Sequence, residues 1–359
     1  MPRFHTLTVN EVRRETPDCV SIAFDVPNAL AEDFGFSQGQ YLTLKSSVDG
    51  EEVRRSYSIC SGVGDGELRV AVKRVEDGRF SSYANDDLAP GDTVEVMTPD
   101  GRFTTELDPS ARRTYVAFAA GSGITPILSI AKSVLAVEPE SRFTLFYGNR
   151  TLADIIFRGE LDDLKDRYPD RVSILHVLSR EPQETELLNG RLNADKCRIF
   201  LRSLVNPHAV DHFFLCGPKT MTDEIQDVLG DHGIARDRIH FELFANPDQI
   251  IDPSMPKREP KTLAEGQGHE ISIVLDGLTT EFKLTTDEPI LDAALLHRAD
   301  LPYGCKGGMC CTCRAKLVEG EVEMDVNYAL APEEIERGFV LSCQSRAKSK
   351  RVVLDFDQR

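Results

Sequence analysis

The spacing of hydrophobic positions changes twice along the chain, and each change predicts a different kind of domain. Up to about residue 107, short hydrophobic runs alternate with turn pairs such as Asp49-Gly50 and Pro90-Gly91. Three of these runs are Tyr41–Leu44, Leu68–Lys73 and Thr93–Met97. Short strands separated by turns at this spacing predict an antiparallel barrel or sandwich.

From residue 114 to about residue 244, buried strands alternate with helices. Strands are predicted at Tyr115–Ala120, Phe143–Tyr147, Val172–Leu178 and Phe213–Cys216. Helices are predicted from near Pro126, from about Leu152 to Arg167, and from Met221 to Leu229. Proline suits a first helical turn because its missing N–H would be unpaired there. Strands and helices in alternation predict a doubly wound parallel sheet.

A proline-rich stretch of residues 246–268 predicts a semi-extended tether between this sheet and a third domain. Beyond it, His269–Leu275 and Thr280–Leu284 predict a hairpin, and Ile290–His297 predicts a helix. We therefore expect three domains and one linker. Their ranges are 1–107, 108–245, 246–268 for the linker, and 269–359.

Composition limits the classes of function. The 42 Lys and Arg residues against 59 Asp and Glu residues give a net charge of −17, which repels the phosphates of nucleic acids. No apolar run approaches the ~18 residues of a membrane helix, and the first residues lack the apolar core of a signal peptide. We therefore expect a cytoplasmic protein without nucleic-acid or membrane partners. Nine cysteines, four of them between Cys305 and Cys313, point to metal chemistry rather than to disulfides.

The cysteines of the third domain form the most specific motif. Cys305, Cys310 and Cys313 have the spacing C-x4-C-x2-C, and Cys343 follows after a helical stretch. Plant-type [2Fe–2S] clusters use this spacing, because two irons need four thiolates. A zinc site built from paired C-x2-C turns is the alternative, but only one such pair is present. Cys311 stands at the wrong interval, so we expect it to be a neighbour of the site and not a ligand.

Two motifs of the first domain have residues that could hold a flavin. In Arg55-Ser56-Tyr57-Ser58, the arginine can bind a pyrophosphate, the tyrosine can stack on a flat ring, and Ser58 can donate to a ring nitrogen. The turn Gly78-Arg79-Phe80-Ser81 opens a helix whose first N–H groups could receive phosphate oxygens. The alternatives are an ordinary strand with a surface arginine and an ordinary turn.

Two turns of the second domain follow parallel strands. Gly121-Ser122-Gly123-Ile124-Thr125-Pro126 joins a strand to a helix, and Cys216-Gly217-Pro218 ends a later strand. Ligands of doubly wound sheets bind outside the carboxyl ends of the strands, so both turns are expected on one rim. Arg150 and the pair Ser179-Arg180 follow two other strands and could bind a 2′-phosphate. The alternative is that both arginines only face solvent.

In their order along the chain, these motifs resemble the ferredoxin–NADP reductase superfamily with a carboxyl-terminal plant-type ferredoxin. The resemblance covers essentially the whole chain. It implies an antiparallel β-barrel that binds FAD, an α/β doubly wound parallel-sheet domain that binds NADP, and an α+β ferredoxin domain of the β-grasp type. It also implies that NADPH gives a hydride to FAD and that electrons pass singly to a [2Fe–2S] cluster.

The resemblance further implies roles for single residues. Ser58, Cys216 and Glu242 would be catalytic. The FAD site would comprise Arg55, Ser56, Tyr57, Ser58, Val72, Gly78, Arg79, Phe80, Ser81 and Phe244. The nicotinamide nucleotide site would comprise Gly121, Ser122, Gly123, Thr125, Pro126, Arg150, Ser179, Arg180, Cys216, Gly217 and Pro218. The cluster ligands would be Cys305, Cys310, Cys313 and Cys343.

Four further stretches resemble the reductase subunits of phenylacetyl-CoA epoxidase complexes. They are Phe4–Val9, Phe143–Thr151, Leu301–Gly308 and Phe339–Gln344. This resemblance implies a diiron oxygenase of phenylacetate degradation as the partner. Reductases of Rieske or steroid hydroxylases share the same motifs and are an alternative, as is a non-catalytic iron–sulfur sensing module.

Overall fold

The computed structural model describes residues 3–243, 261–264 and 268–358 of the chain. These residues form two compact units, one of residues 3–243 and one of residues 261–264 and 268–358. Phe244 and most of the predicted linker lie outside the described residues, so the predictions made for them stay predictions.

The first six strands form an antiparallel sheet that curls into a barrel. They are β1 (Phe4–Thr16), β2 (Cys19–Asp25), β3 (Tyr41–Val48), β4 (Glu51–Ser58), β5 (Leu68–Lys73) and β6 (Thr93–Met97). The strand order is β4-β3-β6-β1-β2-β5, and a bridge between Ile59 and Val70 joins the two edges. The helix α1 (Arg79–Asp86) packs Phe80 and Ala84 against the barrel core. The predicted antiparallel barrel is confirmed.

The second domain is a parallel sheet with an apolar cluster on each face. Its strands are β7 (Thr114–Ala120), β8 (Arg142–Asn149), β9 (Val172–Leu178), β10 (His212–Gly217) and β11 (Ile239–Leu243). Its helices are α2 (Ile124–Val137), α3 (Arg158–Arg167), α4 (Ala194–Ser203) and α5 (Lys219–Asp231). Helices α2 and α3 cover one face, and α4 and α5 cover the other. The order β11-β10-β7-β8-β9 reverses the direction of winding between β7 and β10, as expected of a doubly wound sheet.

One predicted helix of this domain begins later than expected. The prediction ran from Leu152 to Arg167, but residues Leu152–Asp154 form a separate 3-10 turn and α3 starts at Arg158. The residues between them, 155–157, are all buried, and Phe157 has a left-handed φ of +60°. Ile155 is extended, with a φ of −74° and a ψ of 103°, and neither this conformation nor a left-handed one can continue a right-handed helix. The prediction of one continuous helix is therefore wrong.

Helix length also bears on membrane insertion. Among the described residues, we find no helix with both the length and the apolar character needed to span a bilayer.

The second unit has an α+β architecture, as predicted. Its five-stranded sheet contains β12 (His269–Leu275), β13 (Leu278–Leu284), β14 (Arg314–Glu319), β16 (Phe339–Leu341) and β18 (Arg351–Asp355), in the order β13-β12-β18-β14-β16. A separate pair contains β15 (Val322–Met324) and β17 (Ser345–Ala347). The predicted hairpin is β12–β13, and β12 also pairs in parallel with β18. Helix α6 (Ile290–Leu295) packs into the core of this unit, and α7 (Pro332–Glu336) precedes β16.

Residues 261–264, which belong to the predicted linker, are paired with this unit. Thr262 forms a β-bridge with Thr286. The Leu263 N–H donates to the Thr285 carbonyl at 2.9 Å, and the Asp287 N–H donates to the Lys261 carbonyl at 2.8 Å. The chain is therefore already attached to the second unit eight residues before β12.

Candidate functional site

The carboxyl ends of β7 and β10 lie side by side where the winding of the sheet reverses. The turn after β7 contains Gly121-Ser122-Gly123, and β10 ends at Cys216-Gly217. A Cβ atom on Gly123 would lie 2.2 Å from the Cys216 carbonyl oxygen, so only glycine permits this approach. The structure thus brings together the two turns that were expected on one rim.

Two hydroxyl groups hold the turn between β7 and α2 in shape. Thr125 Oγ1 donates to the Ser122 carbonyl at 3.0 Å, and the Tyr147 hydroxyl donates to the Gly121 carbonyl at 2.9 Å. Gly121 has a φ of +55°, and a Cβ there would meet no atom within 4 Å, so the space beside it is open. Pro126 lies in the first turn of α2, where backbone N–H groups have no intrahelical acceptor, so its missing N–H loses no helical hydrogen bond. The contribution of Tyr147 was not predicted.

The three residues predicted to be catalytic meet at this rim. Ser58, the last residue of β4, donates through Oγ to Glu242 Oε2 at 3.3 Å. Glu242 lies opposite Cys216 in the parallel pairing of β10 and β11. Burial, reinforced by the Glu242 carboxylate, raises the pKa of the Cys216 thiol, so the thiol is uncharged at neutral pH. The Ser58 hydroxyl, the Glu242 carboxylate and the neutral Cys216 thiol, which come from two domains, therefore lie together at this rim.

The barrel motif offers an aromatic ring and a guanidinium group near the start of α1. The Tyr57 ring packs against Phe80, with centroids 5.5 Å apart. Burial raises the pKa of Tyr57, so its hydroxyl stays protonated. Arg55 donates to the Arg54 carbonyl at 2.8 Å and has no carboxylate partner among the described residues. Most of its N–H donors are therefore available to an anion.

Other predicted FAD residues have structural partners. Val72 and Phe80 are buried in the barrel core, so only their backbone atoms could touch a cofactor. Ser56 Oγ lies 3.0 Å from Thr43 Oγ1 on the neighbouring strand. These side chains shape the barrel instead of presenting free polar groups.

The turn before α1 is held by its own side chains. Ser81 Oγ donates to the Gly78 carbonyl at 3.0 Å and accepts from the Val75 N–H at 3.1 Å. The Arg79 guanidinium binds Glu51. The first N–H groups of α1 have no intrahelical acceptor, as at any helix start, and are the donors that this turn can offer to phosphate.

Two arginines lie beside each other at the ends of β8 and β9. The Arg180 N–H donates to the Arg150 carbonyl at 2.8 Å, and Ser179 directly precedes Arg180. Both side chains are exposed, and neither has a carboxylate partner among the residues described. The Glu181 carboxylate, which could have bound a bare ribose, instead accepts the Leu152 N–H at 2.7 Å. This edge therefore presents two guanidinium groups.

The four cysteines predicted as ligands come together in two pairs. Cys305, Cys310 and Cys313 lie between α6 and β14, and Cys343 lies between β16 and β17. The Cys305 and Cys310 side chains share a hydrogen bond, as do those of Cys313 and Cys343. Within the described ranges, no three His, Cys, Asp or Glu side chains converge to hold a single metal ion. Two thiol pairs suit two irons with two protein ligands each better than they suit one zinc ion.

Hydrogen-bond donors surround these sulfurs. The Cys305 N–H donates to Cys310 Sγ at 3.3 Å, the Gly307 N–H to Cys305 Sγ at 3.3 Å, and Thr312 Oγ1 to Cys310 Sγ at 3.1 Å. The hydrogen bond with Cys310, helped by the backbone N–H groups of Gly307 and Met309, lowers the pKa of Cys305 to about 7. Donors that stabilise a thiolate suit an iron–sulfur cluster. The Thr312 contact was not predicted.

The loop that carries the first three cysteines contains backbone conformations that favour glycine. Gly308 has a φ of +74°, and a Cβ there would lie 3.2 Å from Val326 Cγ2 and 3.3 Å from Gln344 Cγ. Cys311, which lies between Cys310 and Cys313 in the sequence, has a φ of +55°. That Cys311 is not a ligand stays a prediction.

Comparisons with known proteins match three parts of the chain to described families. The chain matches the families described as "Oxidoreductase FAD-binding domain" over residues 6–105, "Oxidoreductase NAD-binding domain" over 118–227 and "2Fe-2S iron-sulfur cluster binding domain" over 273–348. It is 46% identical to a component of the 1,2-phenylacetyl-CoA epoxidase of Escherichia coli (strain K12), over 100% of this chain and 99% of that protein. The chain belongs to the reductase components of multicomponent oxygenases.

Two further matches are less similar to this chain. The "3-ketosteroid-9-alpha-monooxygenase, ferredoxin reductase component" of Rhodococcus rhodochrous is 34% identical, over 98% of this chain and 96% of that protein. A structure described as "phthalate dioxygenase reductase: a modular structure for electron transfer from pyridine nucleotides to [2Fe-2S]" matches with a TM-score of 0.60 and 27% identity, over 98% of both chains.

Membership confirms the predicted chemistry. This reductase component is an oxidoreductase that uses FAD, NAD(P)H and a [2Fe–2S] cluster and passes electrons to a partner oxygenase. The family assignment also favours an enzyme over the non-catalytic sensing module.

Proposed function

We propose that this reductase serves a phenylacetyl-CoA epoxidase and passes electrons from NADPH to the diiron oxygenase of that complex. The observation that carries the proposal is the 46% identity, along the full length of both chains, to the component of the Escherichia coli epoxidase. The steroid monooxygenase reductase is 34% identical over a similar length. The strongly acidic chain, with a net charge of −17, would suit a basic docking site on the oxygenase.

The barrel residues support FAD binding as predicted. Arg55 would bind the pyrophosphate, since most of its donors are available, and the first N–H groups of α1 would receive phosphate oxygens. Tyr57 would stack on the flavin ring, with Phe80 supporting its other side. When bound, FAD supplies the chemistry that couples two-electron donors to one-electron acceptors.

The residues at the rim would orient the reacting rings. Glu242 accepts the hydrogen bond from Ser58 and so fixes the serine hydroxyl at the junction of barrel and sheet. Cys216 is completely buried and its thiol stays neutral, so it would place no charge behind the nicotinamide site. Gly123 allows the two turns to approach each other closely at this point.

We propose NADPH as the electron donor. Arg150 and Arg180 would bind a 2′-phosphate through charge-assisted hydrogen bonds, with Ser179 beside them. Glu181 is engaged by the Leu152 N–H at 2.7 Å, so its carboxylate is turned to the protein backbone. This favours a phosphorylated ribose over a bare one.

We propose that Cys305 and Cys310 bind one iron and that Cys313 and Cys343 bind the other. The hydrogen-bonded pairing of the side chains supports this division. The nearby N–H groups and the Thr312 hydroxyl would stabilise the bound thiolates.

A reconstituted reaction tests the proposal. The purified full-length protein is mixed with NADPH, dioxygen, phenylacetyl-CoA and the oxygenase subunits of the Escherichia coli epoxidase. We expect consumption of phenylacetyl-CoA coupled to NADPH oxidation. The oxygenase of the steroid monooxygenase, with its steroid substrate, is the control and should turn over far more slowly. Turnover with the steroid oxygenase but not with the epoxidase would reject the proposed partner, provided that the protein reduces ferricyanide with NADPH in both mixtures.

A further inference from the structure

Arg346 is a buried guanidinium group three residues after Cys343. Its side chain is 6% exposed. Its Nε lies 2.9 Å from both carboxylate oxygens of Asp325, and its Nη2 lies 2.8 Å from Asp325 Oδ2. Its Nη1 donates to the Asp287 carbonyl and lies 3.4 Å from Asp287 Oδ1. One side chain therefore joins two segments that are distant in sequence.

On one side, Arg346 holds residues 285–287, with which residues 261–264 pair. We call these two paired stretches together the anchor segment. The Asp287 carbonyl accepts from Arg346, while the Asp287 N–H donates to the Lys261 carbonyl at 2.8 Å. The anchor segment is where the chain coming from the flavin and nucleotide domains attaches to the ferredoxin unit. Arg346 thus fixes the backbone against which this attachment forms.

On the other side, Asp325 leads to the cysteines. The Asp325 N–H donates to the Gln344 carbonyl at 2.9 Å. The Gln344 side-chain amide donates to the Lys306 carbonyl at 2.8 Å and lies 3.5 Å from Cys343 Sγ. Gln344 is 9% exposed and so connects the turn of the fourth cysteine to the loop of the first three within the protein interior.

We propose that Arg346 is a positioning residue that holds both the anchor segment and the cluster ligand Cys343 in one hydrogen-bonded network. The part that concerns Cys343 rests on the proposed cluster ligands. The planar fork of an arginine can bind a carboxylate in bidentate fashion and a carbonyl at the same time, which a lysine ammonium cannot do. A buried cation is stable only while its partners stay in place, so displacement of either segment is resisted. Arg346 therefore fixes the anchor segment and the surroundings of the sulfur together.

Five variants of the full-length holoprotein test this, the fifth being the double variant Arg346→Gln/Gln344→Met. Arg346→Gln removes the charge, Arg346→Lys keeps the charge but loses the fork, and Gln344→Met removes the amide next to Cys343. Arg351→Gln is the matched control, because Arg351 is an exposed arginine of the same unit that pairs with Glu319 at 3.3 Å, outside this network. Three quantities are measured: hydrogen exchange of the anchor-segment amides, the cluster midpoint potential by EPR-monitored titration, and the rate of iron loss to a chelator.

We expect Arg346→Gln to speed exchange at the Leu263 and Asp287 amides, to shift the midpoint potential and to speed iron loss by about tenfold. Arg346→Lys should have smaller effects of the same kind. Gln344→Met should change the potential and iron loss but not the exchange, and Arg351→Gln should change none of the three.

Three results would overturn the proposal. The first is unchanged exchange at Leu263 and Asp287 in both Arg346 variants. The second is an unchanged potential and iron loss in both. The third is full additivity of Arg346→Gln and Gln344→Met on the potential, because residues that act through one network are not additive. If Arg346→Gln does not fold, Arg346→Lys decides all three. Wild-type protein without any cluster would instead refute the proposed ligands, and the exchange data would still decide the anchoring.

Discussion

A single methyl group at Gly123 should force apart the two turns that form the nucleotide rim. Gly123 has a φ of −61°, so alanine meets no backbone penalty there. Its Cβ would lie 2.2 Å from the Cys216 carbonyl oxygen and 3.0 Å from the Gly217 nitrogen. These are backbone atoms, which cannot rotate away. Because carbon and oxygen atoms in contact stay about 3.3 Å apart, the turns must separate by roughly 1 Å.

This displacement sets the size of the expected effect. Overpacking of this kind costs about 1–3 kcal/mol of stability. A misplacement of about 1 Å near reacting groups lowers a rate by about 100-fold, which corresponds to about 2.7 kcal/mol of activation free energy. We therefore expect kcat/KM for NADPH-driven ferricyanide reduction to fall about 100-fold in Gly123→Ala. FAD should stay bound, because Arg55 and Tyr57 belong to β4 and not to either of the two turns.

The assay compares steady-state ferricyanide reduction, flavin absorbance and thermal unfolding in two variants. Gly159→Ala is the control, because Gly159 lies in α3 and a Cβ there would meet no atom within 4 Å. That variant should keep wild-type kcat/KM and gain up to about 1 kcal/mol of stability, since alanine favours helix. Wild-type kcat/KM in Gly123→Ala would refute the reasoning, and equal losses in both variants would show that the site geometry is not responsible.

Three further predictions concern the nucleotide edge, the cluster and pH. Arg180→Glu should raise KM for NADPH by about tenfold or more and leave KM for NADH nearly unchanged, whereas equal changes would show that Arg180 does not contact a 2′-phosphate. Cys313→Ser should abolish the EPR signal of dithionite-reduced protein while flavin absorbance remains, and Cys311→Ser should keep both; loss of the signal in the second variant would contradict the ligand assignment. Burial, with repulsion from His212, lowers the pKa of His240 from 6.5 to about 4. Between these two pH values the unfolded state therefore binds more protons than the folded state. The free energy of unfolding should therefore fall, by up to roughly 3 kcal/mol for this group, as pH drops from 6.5 to 4. His240→Phe should flatten that part of the profile in urea titrations, and an unchanged slope would argue against His240 as its source.

The fold class could be predicted because each element buries a face whose period is visible in the sequence. The strands Leu68–Lys73 and Thr93–Met97 match the predicted runs residue for residue. The segment 155–157 could not be predicted, because its apolar residues look like a continuation of α3 until their burial and the left-handed Phe157 are known.

The candidate site likewise contains residues that could be predicted from the sequence and residues that could not. The cysteines and the motif Arg55–Ser58 could be found because their chemistry demands particular residue types at particular spacings. Tyr147, Gln344 and Arg346 could not, since their roles arise from contacts between distant segments; Arg346 meets Asp287 across 59 positions of sequence.

The hydrogen bond between Ser58 and Glu242 spans 184 positions of sequence. During translation the barrel motif is therefore synthesised long before its acceptor Glu242. Glu242 belongs to β11, an edge strand of the parallel sheet and the last of the five to be synthesised. On the proposed role of Glu242, flavin bound by an incomplete chain would not be reduced at the full rate until β11 had joined β10. Formation of the proposed reacting centre therefore requires the complete two-domain reductase core. Shorter fragments would bind flavin, but the bound flavin would be reduced more slowly.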